Sequence, residues 1–365
     1  MRPSALTLRG IRSVPVNVPM RRPLGTSADT IGAAPLLLIE LETEEGVTGR
    51  SYLFCYLPAA GPAIARILDA ALEMIRRDPV QPADIQAKLQ GRFRLIGVQG
   101  IVRMALAGID AAAWDALALA AGLPLVTMLG SGPKRIAAYN SNGLGIGATP
   151  DELADEAESL LEDGFRAVKL RLGRPTLEAD LAAVRAVRRR LPDGVALMVD
   201  YNQALGLAEA VRRGRALDGE GLAWIEEPIR HDDYDGAARL ARELATPVQI
   251  GENFSGPAAM LTALAAKACD CVMPDLERIG GVTGWQRAAG IAAAAGIEMS
   301  SHLFPEVSAH LLAATPTCHW LEYMDWAAPI LREPLRIVDG YAVVPDRPGS
   351  GLDWDQEAVA RFRAD

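Results

Sequence analysis

The sequence predicts an α/β protein, a (β/α)8 TIM-type barrel preceded by a smaller N-terminal α+β module. Between residues 137 and 325, short apolar runs alternate with helical patterns eight times, the signature of a parallel barrel. No Gly-rich dinucleotide fingerprint accompanies them, which argues against an open doubly wound sheet. The first 130 residues differ, with strand-like runs followed by helices, and 365 residues suit one large domain plus a small one.

Residues 6–18, 35–44 and 49–56 read as strands, the second running into the turn signal Glu45-Gly46. Residues 21–34 have no period and read as an irregular loop. Helices are expected at 61–77, 82–91 and 100–121, the last ended by Gly122 and Pro124. The barrel strands are expected at 137–143, 167–172, 196–202, 223–228, 248–253, 271–276, 297–303 and 319–325. Thr149-Pro150-Asp151-Glu152 supplies a helix start, with Thr as N-cap and Pro at the first helical position. The organisation is therefore an α+β domain over 1–130 with the loop 21–34, a barrel over 131–328, and a segment over 329–365 that packs back on the first module.

Half the residues are hydrophobic, 23% are charged and the formal charge is −9, a globular profile. The densest basic run, Arg188-Arg189-Arg190, ends an expected helix, where cations suit the dipole, so no nucleic-acid partner is expected. Cysteines 55, 269, 271 and 318 have no disulfide or zinc spacing. Residues 1–15 carry no apolar signal core, and no unbroken run of eighteen apolar residues exists. A cytoplasmic protein with no membrane partner is the expectation.

Chemistry in such a barrel sits at the C-terminal ends of the strands. The third, fourth and fifth barrel strands end in Asp200, Glu226 and Glu252, spaced 26 residues apart each time. Three acids at one height repel one another unless a cation joins them, and all-oxygen ligands suit Mg2+. The second strand carries Lys169 and Arg171 on one face, as expected for groups facing an anionic substrate. Across the barrel, Asp275 and His302 end adjacent strands and can form a dyad in which the carboxylate orients and tunes an imidazole base. His231, His310 and His319 read as structural. Glu322 on the last strand is expected to stay protonated and donate to a developing enolate oxygen.

This ordered set resembles the enolase superfamily, specifically its mandelate racemase subgroup. The likeness extends to Phe165-Arg166-Ala167-Val168-Lys169, Met198-Val199-Asp200-Tyr201-Asn202-Gln203, Trp224-Ile225-Glu226-Glu227-Pro228, Ile279-Gly280-Gly281-Val282 and Ser300-Ser301-His302-Leu303-Phe304. The resemblance implies that Asp200, Glu226 and Glu252 hold Mg2+ and that Lys169 neutralises a substrate carboxylate. It further implies that Glu322 bonds the other carboxylate oxygen and that His302, assisted by Asp275, moves a proton at the α-carbon. Asn202 and Ser141 would contact polar substrate atoms. The α+β module would cap the barrel, with 21–34 as a specificity loop presenting Leu24 and Ile31. A homo-oligomer is implied as well.

One position departs from the family pattern of Lys-x-Lys on the second strand: here the second residue is Arg171. A guanidinium is a poor general base, and racemisation needs a competent group on each face. The expectation is therefore one-base chemistry: His302 takes the α-proton of a small 2-hydroxycarboxylate and a β-hydroxyl leaves, dehydrating a sugar acid. The alternative is a racemase or epimerase of a 2-hydroxy acid. A non-catalytic metal-binding scaffold and a metal-dependent hydrolase are the readings from other classes.

Overall fold

Alternating apolar residues give the N-terminal module its sheet. In the computed structural model, which describes residues 5–364, β1 (Leu8–Gly25), β2 (Thr30–Thr43) and β3 (Thr48–Phe54) form an antiparallel sheet in that order. Side chains of β2 alternate between two cores. Leu37, Ile39 and Leu41 face the module's own helices, while Leu36 and Leu38 join the core shared with the barrel. The helices are α1 (Ala60–Ile75), α2 (Pro82–Phe93), α3 (Gly100–Ala121) and the single turn α4 (Leu125–Met128). Gly49 lets α3 approach β3: a Cβ there would stand 2.0 Å from the Ala112 carbonyl oxygen. By length and mean hydropathy (1.4) α3 could span a membrane, but 72% of that stretch is buried inside the protein.

The stretch 21–34 corrects the sequence expectation of an irregular loop. β1 runs to Gly25 and pairs with β2 as far as Leu24↔Ile31 and Gly25↔Thr30, so the region is the far end of a long hairpin. Between Pro19 and Leu24 the register shifts, leaving residues 20–23 opposite the single Gly32. That bulge and its prolines break the period-two signal without breaking the pairing. The tip is knotted by Thr26, whose Oγ1 accepts from the Ala28 and Asp29 amides at 3.2 Å.

The barrel strands are β4 (Arg135–Asn140), β5 (Ala167–Arg171), β6 (Ala196–Asp200), β7 (Ile225–Glu226), β8 (Val248–Ile250), β9 (Cys271–Val272), β10 (Glu298–Met299) and β11 (Leu321–Tyr323). They pair in parallel in chain order, and β11 returns to pair with β4. The Ser301 amide donating to the Trp320 carbonyl at 3.0 Å joins the tenth strand's end to the eleventh's start. Several strands are shorter than expected from sequence because their last residues bend away to carry the site. The outer helices are α5 (Pro150–Ser159), α6 (Leu177–Arg190), α7 (Leu207–Leu217), α8 (Tyr234–Glu243), α9 (Pro257–Ala265), α10 (Leu276–Ile279), α11 (Gly281–Ala295) and α12 (Pro305–Ala313). The fifth starts with Thr149 and Glu152 in a reciprocal capping box. Inside the barrel, Tyr139, Ala167, Met198 and Trp224 form a separate apolar floor.

The tail is also corrected. Its hairpin, β12 (Ile337–Val338) and β13 (Tyr341–Val343), adds antiparallel to β4 rather than to the first module. Only beyond it does the chain return: Leu125 donates to the Gly349 carbonyl, and α13 (Gln356–Phe362) packs on β1.

His310 pins this junction. Its Nδ1 accepts from the Val126 amide at 3.2 Å, so Nε2, 3.1 Å from the Ser350 carbonyl, is the donor and the ring is neutral. Burial lowers its pKa to about 4. Because the folded value lies below the free value, the stabilisation is complete above pH 6.5 and is lost as pH falls toward 4. Urea denaturation across this range is expected to show on the order of 3 kcal/mol of lost stability from this group. His310→Gln should lose that component of the slope.

Candidate active site

The alternation of inward-facing residues builds the site directly above the apolar floor. On β5, Ala167 belongs to the floor, and Lys169 and Arg171 rise above it on the same face. Met198 and Asp200 repeat the step on β6, as do Trp224, just before β7, and Glu226 on it. Trp224 donates its indole N–H to Glu226 at 3.1 Å, fixing that carboxylate from below. Asp200, Glu226 and Glu252 bring one oxygen each within 4.8 Å of one another. Asp200 and Glu226 are fully buried, whereas Glu252 stands at the rim with its side chain 12% exposed. These oxygens are positioned to bind a metal ion, and their hardness fits Mg2+.

Lys169 occupies the centre. Its Nζ lies 2.7 Å from Glu226, 2.8 Å from Glu322 and 3.4 Å from Asp200. Burial works against the ammonium, but those three carboxylates outweigh it and raise its pKa above the lysine range. Burial, with Asp200, Glu322 and Glu252 adding to it, pushes Glu226 up to about 8 despite Lys169. The carboxylates Asp200, Glu226, Glu252 and Glu322 outnumber the cations Lys169 and Arg171 beside them, so a bound metal cation would relieve their repulsion.

Glu322 departs from the expected protonated donor. It accepts from Ser141 Oγ at 2.7 Å, the Leu303 amide at 3.0 Å and Lys169. Burial alone would raise its pKa, but Lys169, His302 and Arg171 win and lower it. It is a carboxylate surrounded by donors. Ser141, expected to meet substrate, commits its proton to Glu322 and accepts from Arg171 Nη2 at 2.9 Å. Arg171 also donates from Nη1 to the Ser141 carbonyl at 2.6 Å, and its buried Nε has no partner among the described residues. Its guanidinium is thus held as an anchor of the turn after β4.

His302 Nδ1 lies 2.7 Å from Asp275, whose other oxygen accepts from the Glu277 and Arg278 amides. The Asp275 carboxylate is therefore fixed by the first turn of α10 and in turn fixes the imidazole. His302 Nε2 faces Glu252 at 3.2 Å. Burial disfavours the charged ring, yet Glu252, Asp275 and Glu322 raise its pKa to about 9. Asn202 donates from Nδ2 to Asp200 at 3.0 Å, leaving its Oδ1 open. Leu24 and Ile31 face each other across the hairpin, which reaches the loops after β4 and β6: Gly25 accepts from the Ile146 amide at 3.0 Å.

Sequence reasoning missed two residues. Asn253 donates to Glu227 at 2.8 Å and Glu252 at 3.1 Å, and Arg278 donates to Asn253 Oδ1 while lying over the Tyr56 ring at 4.5 Å. Asn253 directly follows Glu252, a signal that was available. Arg278 and Tyr56 meet only through the tertiary fold.

Two family models match the chain: the mandelate racemase / muconate lactonizing enzyme N-terminal domain over residues 9–130, and the enolase C-terminal domain-like model over 152–358. The chain belongs to the enolase superfamily, in its mandelate racemase subgroup. Among relatives, L-talarate/galactarate dehydratase of Salmonella typhimurium LT2 is 31% identical over 88% of this chain and 81% of the relative. An enolase from alpha proteobacterium bal199, solved with bound Mg, is 48% identical, covering 98% of this chain and 100% of that one with a TM-score of 0.96. A Bradyrhizobium enolase complexed with magnesium and mandelic acid is 40% identical, with 99% of each chain covered and a TM-score of 0.94.

Metal binding should be visible without any substrate. Mg2+ at 100 times its Kd is expected to add about 2.7 kcal/mol to unfolding stability. Asp200→Asn should abolish that gain, read by chemical denaturation with and without Mg2+. An equal gain in the variant would contradict the assignment.

Proposed function

We propose that this protein is a Mg2+-dependent enzyme that removes the α-proton of a small 2-hydroxycarboxylate from one face and dehydrates a sugar acid. The observation that carries the reading is the asymmetry of the two sides of the mouth. One side holds an imidazole on a fixed carboxylate, His302 with Asp275 at 2.7 Å. The other holds Arg171, a group with only donors, already bonded to Ser141.

Asp200, Glu226 and Glu252 would hold the magnesium. When bound, it would polarise the substrate carboxylate and offset the negative charge that develops there. Lys169, whose buried ammonium lies within 3 Å of both Glu226 and Glu322, would turn from those carboxylates to a substrate oxygen. With a cation held by Glu252 offsetting the charge that favours the imidazolium, His302 Nε2 would be free to accept the α-proton, and Asp275 would stabilise the imidazolium that results. The same imidazolium can protonate a departing β-hydroxyl, so one group serves both halves of an elimination. Arg171 would supply fixed positive charge rather than a second base. Asn202 Oδ1 and the hairpin residues Leu24 and Ile31 would border the substrate's remaining groups.

Related dehydratases support this reading, among them L-talarate/galactarate dehydratase and the arabinonate dehydratase of Saccharolobus solfataricus, 27% identical over 87% of this chain. A second reading, racemisation or epimerisation of a 2-hydroxy acid, draws support from the mandelic acid complex of the 40%-identical neighbour and from the apolar hairpin end. A cytoplasmic location fits four unpaired cysteines, and a homo-oligomer fits the exposed Leu95 and Ile96 of the first module.

Incubation with Mg2+ and a panel of sugar acids, followed by proton NMR, tests the reaction. Loss of water from one acid is expected. His302→Asn should lower its kcat by about 10²–10⁴. Inversion at C2 without loss of water would favour the second reading, and turnover surviving intact in the histidine variant would remove His302 from its role.

A further inference from the structure

The β1–β2 hairpin meets the barrel at several polar points: Arg22 donates to Ser159 Oγ at 3.0 Å, Gly25 accepts from the Ile146 amide at 3.0 Å, and at the tip Ser27 reaches the turn after β6. Ser27 Oγ lies 3.0 Å from the Tyr201 carbonyl and 3.2 Å from the Asn202 carbonyl, so its single proton is shared between them. The Asn202 carbonyl has no other partner among the described residues. Both residues immediately follow the end of β6, where Asp200 stands.

That corner of the barrel is strained. Asn202 and Gln203 both have positive φ, 44° and 65°, a conformation that non-glycine residues keep only when their surroundings enforce it. The payoff of the turn is local: Asn202 donates to Asp200 twice, from its amide at 2.8 Å and from Nδ2 at 3.0 Å. Gln203 is tied on the inner side by its amide to the Glu227 carbonyl at 2.8 Å. The Tyr201 carbonyl also accepts from the Ala204 amide at 3.0 Å within the turn, and from the hairpin the Ser27 hydroxyl reaches the carbonyls of both 201 and 202.

The seat around Ser27 is shaped for a small residue. Gly173, at φ 110°, leaves space where a Cβ would lie 3.4 Å from Ser27 Cβ and 3.0 Å from Ala204 Cβ. The tip itself is stiffened by the Thr26 hydroxyl and by Asp29, whose carboxylate accepts from the Thr30 amide at 2.7 Å. A stiffened tip carrying one donor therefore fits into a shaped recess beside the Tyr201 and Asn202 carbonyls.

We propose that Ser27 is a positioning residue. Its hydroxyl latches the hairpin onto the turn after β6 and so holds the Asn202 amide on Asp200, linking hairpin closure to the metal-binding geometry. The part concerning metal rests on Asp200 being a Mg2+ ligand. The link is reciprocal by thermodynamic necessity: whatever orders Asp200 tightens the hairpin, and whatever frees the hairpin loosens Asp200.

Hydrogen–deuterium exchange and Mg2+ titration calorimetry on the full chain, with Ser27→Ala and Ser27→Thr, test the latch. In metal-free protein, Ser27→Ala is expected to speed exchange in residues 24–31 and 201–204. It should also weaken Mg2+ binding by about three- to tenfold, the worth of one hydrogen bond. Ser27→Thr, which keeps the hydroxyl, should restore both, an outcome that mere filling of the recess would not give. Unchanged exchange in Ser27→Ala, or faster hairpin exchange with unaltered Mg2+ affinity, would overturn the proposal. Failure of the wild-type protein to bind Mg2+ would instead sink the metal assignment and with it the link to metal geometry. The metal-free exchange at 201–204 would still decide whether Ser27 holds the turn.

Discussion

Carboxylates buried side by side around a single ammonium group set the terms for the rest of this molecule. Glu226 and Glu322 press on Lys169 at 2.7 and 2.8 Å, with Asp200 at 3.4 Å and Glu252 completing the rim. Such a cluster is unfavourable in an apolar interior unless positive charge is brought to it. The barrel supplies fewer cations than carboxylates here, Lys169 and Arg171 among them, so a bound metal ion would relieve the repulsion. The strain at Asn202 and Glu227, both with positive φ, lies where strand ends must turn these acids inward. Packing elsewhere is ordinary by comparison.

The first module is fastened to the barrel by buried acids in addition to the apolar core that the two share. Tyr52 donates to Glu306 at 2.6 Å, the Phe54 amide to Glu277 at 3.1 Å, and the Thr283 amide to Asp110 at 2.9 Å. Burial raises Asp110 to about 7 in spite of the hydrogen bonds from Thr283. Glu277 lies two residues beyond Asp275, and Glu306 four beyond His302, so the same contacts that seat the module also brace the dyad. Each acid would be costly to bury alone, and each has a donor from the other domain. The interface thereby specifies one seating of the module over the mouth.

Much of the site was legible in the sequence because its logic is periodic. Asp200, Glu226 and Glu252 recur at one strand–helix interval, and Lys169 and Arg171 share a face by strand alternation, so phase alone gathers them. The hairpin was not legible, since the bulge at residues 20–23 erases the alternation that its backbone pairing does not need. Neither was the ionisation of Glu322: its donors come from Ser141, Leu303 and Lys169, which are distant in the chain. Arg278 was missed for the same reason, its role being set by Asn253 and Tyr56. The tail misled because Tyr341–Val343 finds an open edge on β4 before the chain reaches the first module.

The central claim is that proton movement at the α-carbon is served from one face, because Arg171 is an anchor and His302 the sole base. Solvent deuterium exchange, followed by proton NMR on both C2 epimers of each acid the protein accepts with Mg2+ present, examines it most directly. The account predicts that deuterium enters from one epimer only and that no inversion accompanies it. Exchange of both epimers, or their interconversion, would show that a second group works on the opposite face and would contradict it.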